Sequence, residues 1–341
     1  MTKSISNKRI IVSLVVPFLL FAGIILLIKY SLFDSQSAPL AFAISADFLL
    51  TIPLVYFLLI RKTSIPKTTV VPIMIIGLLL GSYFLPQQNQ TYLSLFKTWA
   101  LPLIELTVFS FVILKVRKAF QTYKSQKHSS LDFFMVLKNT CYEILPKPVA
   151  IPFATEIAVA YYGFIHWKTI ELKENQFSYH KKSGTPALLG TLILLTVVET
   201  CTFHILLGMW SEVAAWIATG LSVYTSFQLF GFAKSLSKRP IEISPDLLKL
   251  KYGIMSEAEI PFEIIDSIEL SRKKMDENPL HKHFSPLGEL EGHNIILHLK
   301  QTHSLVGLYG FRKEFVKLAV HVDEAKAFLE VVVESKLNSV N

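Results

Sequence analysis

The stretch PALLGTLILLTVVETCTFHILLGMWSEVAAWIATGLSVYTSFQLFGFAK, Pro186 to Lys234, decides the fold. Ahead of Lys234 its only ionisable carboxylates are Glu199 and Glu212, and its only imidazole is His204. Two apolar runs lie in it, about 186–207 and 212–233. Each reaches the roughly 17–25 residues that a helix needs to cross hydrocarbon. In hydrocarbon the backbone finds no water, so each run must bond to itself as a helix. Only Gly208-Met209-Trp210-Ser211 joins them, which forces an antiparallel hairpin.

Four earlier runs read the same way, about 10–28, 40–60, 69–85 and 98–114. The third, VVPIMIIGLLLGSYFL, is short but almost wholly apolar. Across 341 residues the mean hydropathy is +0.44 and 18% are charged, against about 25% in soluble domains. The shortage of charge is confined to the first 240 residues. The expected fold is therefore an α-helical polytopic membrane bundle of about six spans, residues 1–239, followed by a small α+β domain, 240–341. The start, MTKSISNKR before an apolar run, looks like a signal peptide. The run is longer than a signal core and no small-residue cleavage site follows it, so it reads as an uncleaved first span.

The net charge of +8 comes from 34 basic and 26 acidic side chains. Its excess sits beside the apolar runs: Lys3, Lys8 and Arg9; Arg61, Lys62 and Lys67; Lys115, Arg117, Lys118, Lys124, Lys127, Lys138 and Lys147; Lys234, Lys238 and Arg239. By the positive-inside rule this alternation fits six spans in the plasma (inner) membrane, with both termini cytoplasmic. Nucleic acid is not an expected partner, because no DNA- or RNA-binding signature is present. Membrane lipids are expected partners; the basic belt from Lys115 to Lys127 could bind anionic headgroups, but ordinary positive-inside topology accounts for it and is the favoured reading. Cys141 and Cys201 do not suggest a disulfide framework.

Residues 129–167 are expected to lie on the interface. Ser129-Ser130-Leu131-Asp132 is an N-cap signal for an amphipathic helix reaching 145. The run 149–167 is long enough to span, but then the last third of the chain would face outward and the charge rule would break twice. Tyr161, Tyr162, His166 and Trp167 suit an interfacial helix instead.

From Pro240 onward the apolar period changes to that of strands: 241–243, 248–252, 264–270, 295–299 and 305–311. Phe328, Leu329, Val332 and Val333 then mark a closing helix over about 323–337. Within this region Leu248 to Gly253, Ile260-Pro261, Ile264/Ile265 with Ile268, and Val322-Asp323 carry a resemblance to bacterial pleckstrin-homology-like (PH-like) domains of membrane proteins. The resemblance covers about 240–336 and departs from the family pattern in the insert 273–293, which reads as an extended loop. It implies a partly open barrel or sandwich capped by one helix, used for binding or assembly. The membrane half resembles uncharacterised bacterial multipass proteins only loosely.

Ionisable side chains inside spans are functional candidates, because each costs at least about 2.5–3.5 kcal/mol at the bilayer centre. These are Asp47, Glu105, Glu199 and His204, joined by Glu156 if its helix enters the membrane. Glu199 and His204 are the candidate metal ligands, and with Glu156 the candidate catalytic groups. No metal-binding spacing accompanies them, so the favoured reading is structural: Glu199 protonated or hydrogen-bonded to a neighbouring Ser, Thr or Tyr, and His204 near the outer interface; a proton or ion path is the third reading. Asp47 and Glu105 read as a polar tie between spans or as part of a proton path. His281-Lys282-His283 reads as a solvated loop. His293, His298 and His303 alternate faces if they lie on a strand.

Three functions follow. The first is a non-enzymatic scaffold that binds lipid, or a protein partner through 240–341. The second is an integral membrane enzyme acting on a lipophilic substrate through Glu156, Glu199 and His204. The third is an ion- or proton-coupled transporter using Asp47, Glu105 and Glu199. No cofactor can be assigned.

Overall fold

The computed structural model describes residues 2–30, 38–125, 132–168 and 170–340. It divides into two compact units, Met1–Ala150 and Ile151–Asn341. This division by packing falls before the last apolar hairpin, whereas the division by composition falls after it.

The first unit is helical. It comprises α1 (Thr2–Tyr30), α2 (Ala38–Ala46), α3 (Ile52–Ile60), α4 (Val70–Phe84), α5 (Thr91–Leu95), α6 (Leu101–Ser125) and α7 (Phe133–Ile144). Wide π turns, Asp47–Thr51 and Phe96–Ala100, join α2 to α3 and α5 to α6 without a break. A proline, Pro53 or Pro102, lies two residues past each turn. A proline ring cannot donate and crowds the carbonyl four residues back, and the wider turn moves that carbonyl aside. The core gathers Phe21, Ile44, Phe48, Leu49, Leu78 and Leu93. Asp132 caps α7 by accepting the Met135 N–H at 2.9 Å. The start of the expected amphipathic segment, 129–131, and Lys127 lie outside the described residues.

The second unit begins within α8 (Lys147–Ala160), which continues as a π turn, Tyr161–Ile165. A two-residue strand, β1 (Gln176–Phe177), leads to α9 (Thr185–Gly208) and α10 (Glu212–Leu236). These two form the expected antiparallel hairpin, with Ser211 capping α10. The sheet follows: β2 (Ile241–Ile243), β3 (Leu247–Tyr252), β4 (Ser256–Pro261), β5 (Ile265–Leu270), β6 (His281–His283), β7 (Ile295–Val306) and β8 (Arg312–Val320). Its order is β1-β2-β3-β4-β7-β8-β6, with β5 also on β7. The helix α11 (Ala325–Val340) closes the domain, burying Phe328 and Val332.

Among the described residues seven helices are long and apolar enough to cross a membrane, one more than the six expected. The addition is Lys147–Ile165, where the π turn carries the helix through Tyr161 and Tyr162 without interruption. Both tyrosines are buried and so do not form an exposed aromatic belt. The outer faces of the other long helices carry exposed Phe18, Leu54, Leu79, Phe109, Leu194 and Ile205. Apolar cover of that extent suits lipid and not water.

Three sheet readings are corrected. Residues 305–311 are not one strand: Leu308–Gly310 is a tight turn in which Tyr309 (φ 56°) and Gly310 (φ 85°) adopt left-handed backbone that cannot continue a strand. The strand β8 begins after it and was hidden by the charged Arg312-Lys313-Glu314. His281–His283 is not loop but a short strand parallel to β8, anchored by buried Phe284. The sheet also draws β1 from ahead of α9, with Gln176 opposite Glu242.

Close helix packing in the first unit rests on Gly77, where an added Cβ would stand 2.2 Å from the Phe48 carbonyl oxygen. Gly77→Ala is expected to lower the apparent melting temperature in detergent, at an overpacking cost of about 1–3 kcal/mol. Gly23→Ala, with nothing within 4 Å of the added methyl, is expected to leave it unchanged or raise it slightly.

Candidate functional site

Two polar constellations stand out, both within Ile151–Asn341. The first is built on Glu156, one of the sequence candidates. Its Oε1 accepts from Gln228 Nε2 of α10 at 2.8 Å and from the Tyr309 hydroxyl at 3.1 Å. The Tyr309 hydroxyl also lies 3.0 Å from Gln228 Oε1, and Gln228 Nε2 donates to the Tyr224 hydroxyl. The β7–β8 turn therefore reaches α8 and α10 together. Its left-handed backbone aims the Tyr309 ring at them, and Gly310 follows because a Cβ there would stand 2.6 Å from Ile151 Cδ1. Burial and the nearby Glu156 carboxylate push the Tyr309 phenol up to about 12, so it remains a donor through neutral pH.

The second constellation is a cavity of about 560 Å³ lined by Lys182, Gly184, Arg272, Lys274, Glu289 and Glu291, among others. It lies over the amino end of α9. Glu291 is buried, with only 4% of its surface exposed. Its Oε2 accepts the Tyr252 hydroxyl proton. Since that proton is used, Thr185, 2.7 Å away, and Ser285, 3.2 Å away, must both donate to Tyr252. Ser183 in turn donates to Thr185 at 3.2 Å. Every hydroxyl in the relay thus points its proton toward one oxygen of Glu291. Among the described residues the other, Oε1, has no hydrogen-bond partner, and neither does Nε2 of His321 on the same wall. Burial pushes the Tyr252 phenol far up, as does the Glu291 carboxylate, which keeps the relay protonated.

A third carboxylate holds the segment that leads into α9. Asp323 accepts the backbone N–H groups of Lys182 at 2.7 Å and Lys181 at 3.1 Å. Burial alone would raise its pKa, but the hydrogen bonds from Ser178, Lys182 and Lys181 outweigh burial and hold it below the ordinary carboxylate value.

The remaining sequence candidates stand apart. His204 Nδ1 is 2.8 Å from Thr219 Oγ1, and its ring meets Trp216 edge-on. Thr219 and Gln228 are nine residues apart on α10, about 13 Å along its axis, so His204 does not join the Glu156 group. Glu199 is exposed on α9, Glu105 is exposed on α6, and Asp47 is half-buried in its π turn. Among the described residues no three His, Cys, Asp or Glu side chains gather as a metal site would require. His283 and His293 do meet, with ring centroids 5.7 Å apart, in the cavity wall. Cys141 is a buried free thiol pushed up to about 11 by burial, and Cys201 is free and exposed.

Sequence reasoning missed Gln228, Tyr309, Tyr252 and Glu291. Tyr252 ends β3 and Glu291 lies in the insert before β7, and only the tertiary fold unites them. Comparison with known proteins adds nothing to this geometry: no family model, no curated protein and no solved structure matches the chain.

Two outcomes are expected. Tyr309→Phe, which removes only the hydroxyl, should destabilise the protein by about 0.5–1.5 kcal/mol in thermal unfolding, whereas Phe311→Leu on the exposed flank should not. Because the Asp323 pKa is lowered on folding, its contribution is present above the ordinary value of 3.8 and is lost as pH falls through the lower folded value. Asp323→Ala should remove it at pH 7 as well, seen as faster tryptic cleavage after Lys181 and Lys182.

Proposed function

We propose that this chain is a multipass membrane protein acting as a non-enzymatic scaffold, with its sheet domain on the cytoplasmic face receiving a lipid or a protein partner. The observation that carries the reading is the Tyr309 hydroxyl set between Glu156 of α8 and Gln228 of α10. A binding domain tethered only by a linker would move independently of the helices. Here a hairpin tip is hydrogen-bonded to two of them, so whatever the sheet domain grips is felt at the helices.

The same contacts support six spans over seven. Val159 of α8 and Gly163 of the π turn after it meet α10 at Gly231, and Lys238 Nζ donates to the Lys168 carbonyl at 2.7 Å. These contacts fall on the last turns of α10 and just beyond it. On its other side α8 meets a hairpin whose flank exposes Arg312, Lys313 and Glu314. Such a flank does not enter hydrocarbon. We therefore place α8 along the cytoplasmic interface, with both termini on that side and the inner membrane as the host. The resemblance to PH-like domains points the same way, toward binding and assembly. Glu156 is engaged by an amide and a phenol, with neither Glu199 nor His204 among its named partners, and this favours the scaffold over the enzyme.

Single-cysteine labelling from the two sides of the membrane tests the topology, in a background lacking Cys141 and Cys201. Lys147→Cys and Lys173→Cys should label from the same side as the C-terminal tail, and labelling of Lys147→Cys from the opposite side would establish seven spans. Native electrophoresis of membranes tests the scaffold. Tyr309→Ala should insert in wild-type amount yet lose its larger complexes, and unchanged complexes would count against the reading.

A further inference from the structure

We infer that the cavity over the amino end of α9 is a binding site for an amine-bearing phosphate, the chemistry of phosphoethanolamine. Glu291 is 96% buried by its 4% exposure, and its Oε2 terminates a relay whose hydroxyl protons are all committed. Among the described residues no donor reaches Oε1. A buried carboxylate oxygen without a donor carries a desolvation penalty that nothing offsets. The group that would complete it must bring its own N–H, and an ammonium suits a carboxylate best.

The rest of the wall asks for the opposite charge. Lys182 and Arg272 line the cavity, whereas Lys274 already pairs with Glu289 at 3.1 Å. The amino end of α9, a helix of 24 residues, opens at Gly184 without a side-chain cap, which leaves its positive dipole end toward the cavity. With Lys182, Arg272 and Lys274 against Glu289 and Glu291, the lining carries about one net positive charge when its histidines are neutral. A phosphate meets Lys182 and Arg272, and the attached amine meets Glu291 Oε1. His321 Nε2, also without a hydrogen-bond partner and 3.9 Å from Asp323 Oδ1, stands as a further donor or acceptor. A simple anion would leave Glu291 unanswered, and a simple cation would face Lys182 and Arg272.

Two sources offer this chemistry, a phosphatidylethanolamine headgroup and a free phosphoethanolamine-type metabolite. The headgroup is the better fit if α9 crosses the bilayer as proposed above, because Lys182 and Gly184 then sit at headgroup level. The chemistry of the site does not depend on that reading.

The test uses the full chain in detergent and native mass spectrometry, titrated with phosphatidylethanolamine, phosphatidylglycerol, free phosphoethanolamine and inorganic phosphate. Wild type is expected to favour phosphatidylethanolamine over phosphatidylglycerol by about tenfold, the worth of one charged hydrogen bond. Glu291→Gln keeps an acceptor for Tyr252 and should reduce the preference to about twofold or less, because the neutral amide loses the charge-assisted bond. Arg272→Ala, at an exposed position that leaves the fold intact, should weaken both lipids, while Lys313→Ala, away from this cavity, should weaken neither. Binding of free phosphoethanolamine with the same Glu291 dependence, and none of the lipid, would keep the assignment and make its source soluble. Equal binding of the two lipids, a preference that survives Glu291→Gln, or binding of inorganic phosphate alone would overturn it. The cysteine-labelling result does not enter this assay, so the two readings fail separately.

Discussion

Arg239 sits where α10 ends and the sheet begins, with 1% of its surface exposed. Its guanidinium donates to the Gly253 carbonyl and to Glu257 Oε2. Around it the Tyr179 hydroxyl donates to the Arg239 carbonyl at 3.3 Å and accepts the Gly253 N–H at 2.6 Å. Ser235 Oγ of α10 accepts the Ile254 N–H at 3.2 Å. Gly253 is required here, since φ is 51° and a Cβ would stand 2.3 Å from Ser235 Oγ. A buried guanidinium is tolerated only when its donors are used, and breaking such a pair typically costs about 3–5 kcal/mol. Three separate segments, the end of α10, the β3–β4 turn and the strap before α9, are thereby tied to one cation.

That joint sets the direction in which the sheet leaves the helix. Once β3 is held against α10, the β7–β8 hairpin has one place to reach, and its Tyr309 arrives between Glu156 and Gln228. The strap that supplies Tyr179 continues through Lys181 and Lys182, held by Asp323, into the first turn of α9. The cavity forms between that strap and the insert before β7. Both polar constellations are thus consequences of how α10 is fastened to the sheet.

The sequence made the helical half legible because hydrocarbon imposes length and apolarity on each segment independently. Five of the expected runs recur within a few residues of their observed ends, and the π turns changed the bounds of the sixth, near Trp99, and of 149–167. The Gly253 turn, β3, β5 and α11 were likewise readable from local period and turn chemistry. What stayed hidden was whatever depends on partners distant in the chain. The strand β8 alternates poorly at its charged start, β6 is stabilised only by pairing with β8, and β1 is two residues long. Of the site residues, Glu156 was visible as an expensive carboxylate in an apolar run. Glu291 was not, because nothing in GELEGHN tells that its side chain is buried.

Those two carboxylates differ in how their oxygens are met. Glu156 stands in apolar surroundings where an unpaired charge is most costly, and Gln228 and Tyr309 converge on it from two other elements. That is how a structural joint is built: the donors come from the protein, so the contact exists in every state of the fold. Glu291 is more deeply buried than the half-buried Glu156, yet its relay delivers every proton to one oxygen and leaves the other unpaired, in the wall of a cavity that Lys182 and Arg272 also line. A fold that only needed rigidity there could have used an amide or an apolar side chain at lower cost. An incomplete hydrogen-bond set in a cavity wall has its physical rationale in a donor from outside, such as the proposed amine-bearing phosphate would bring.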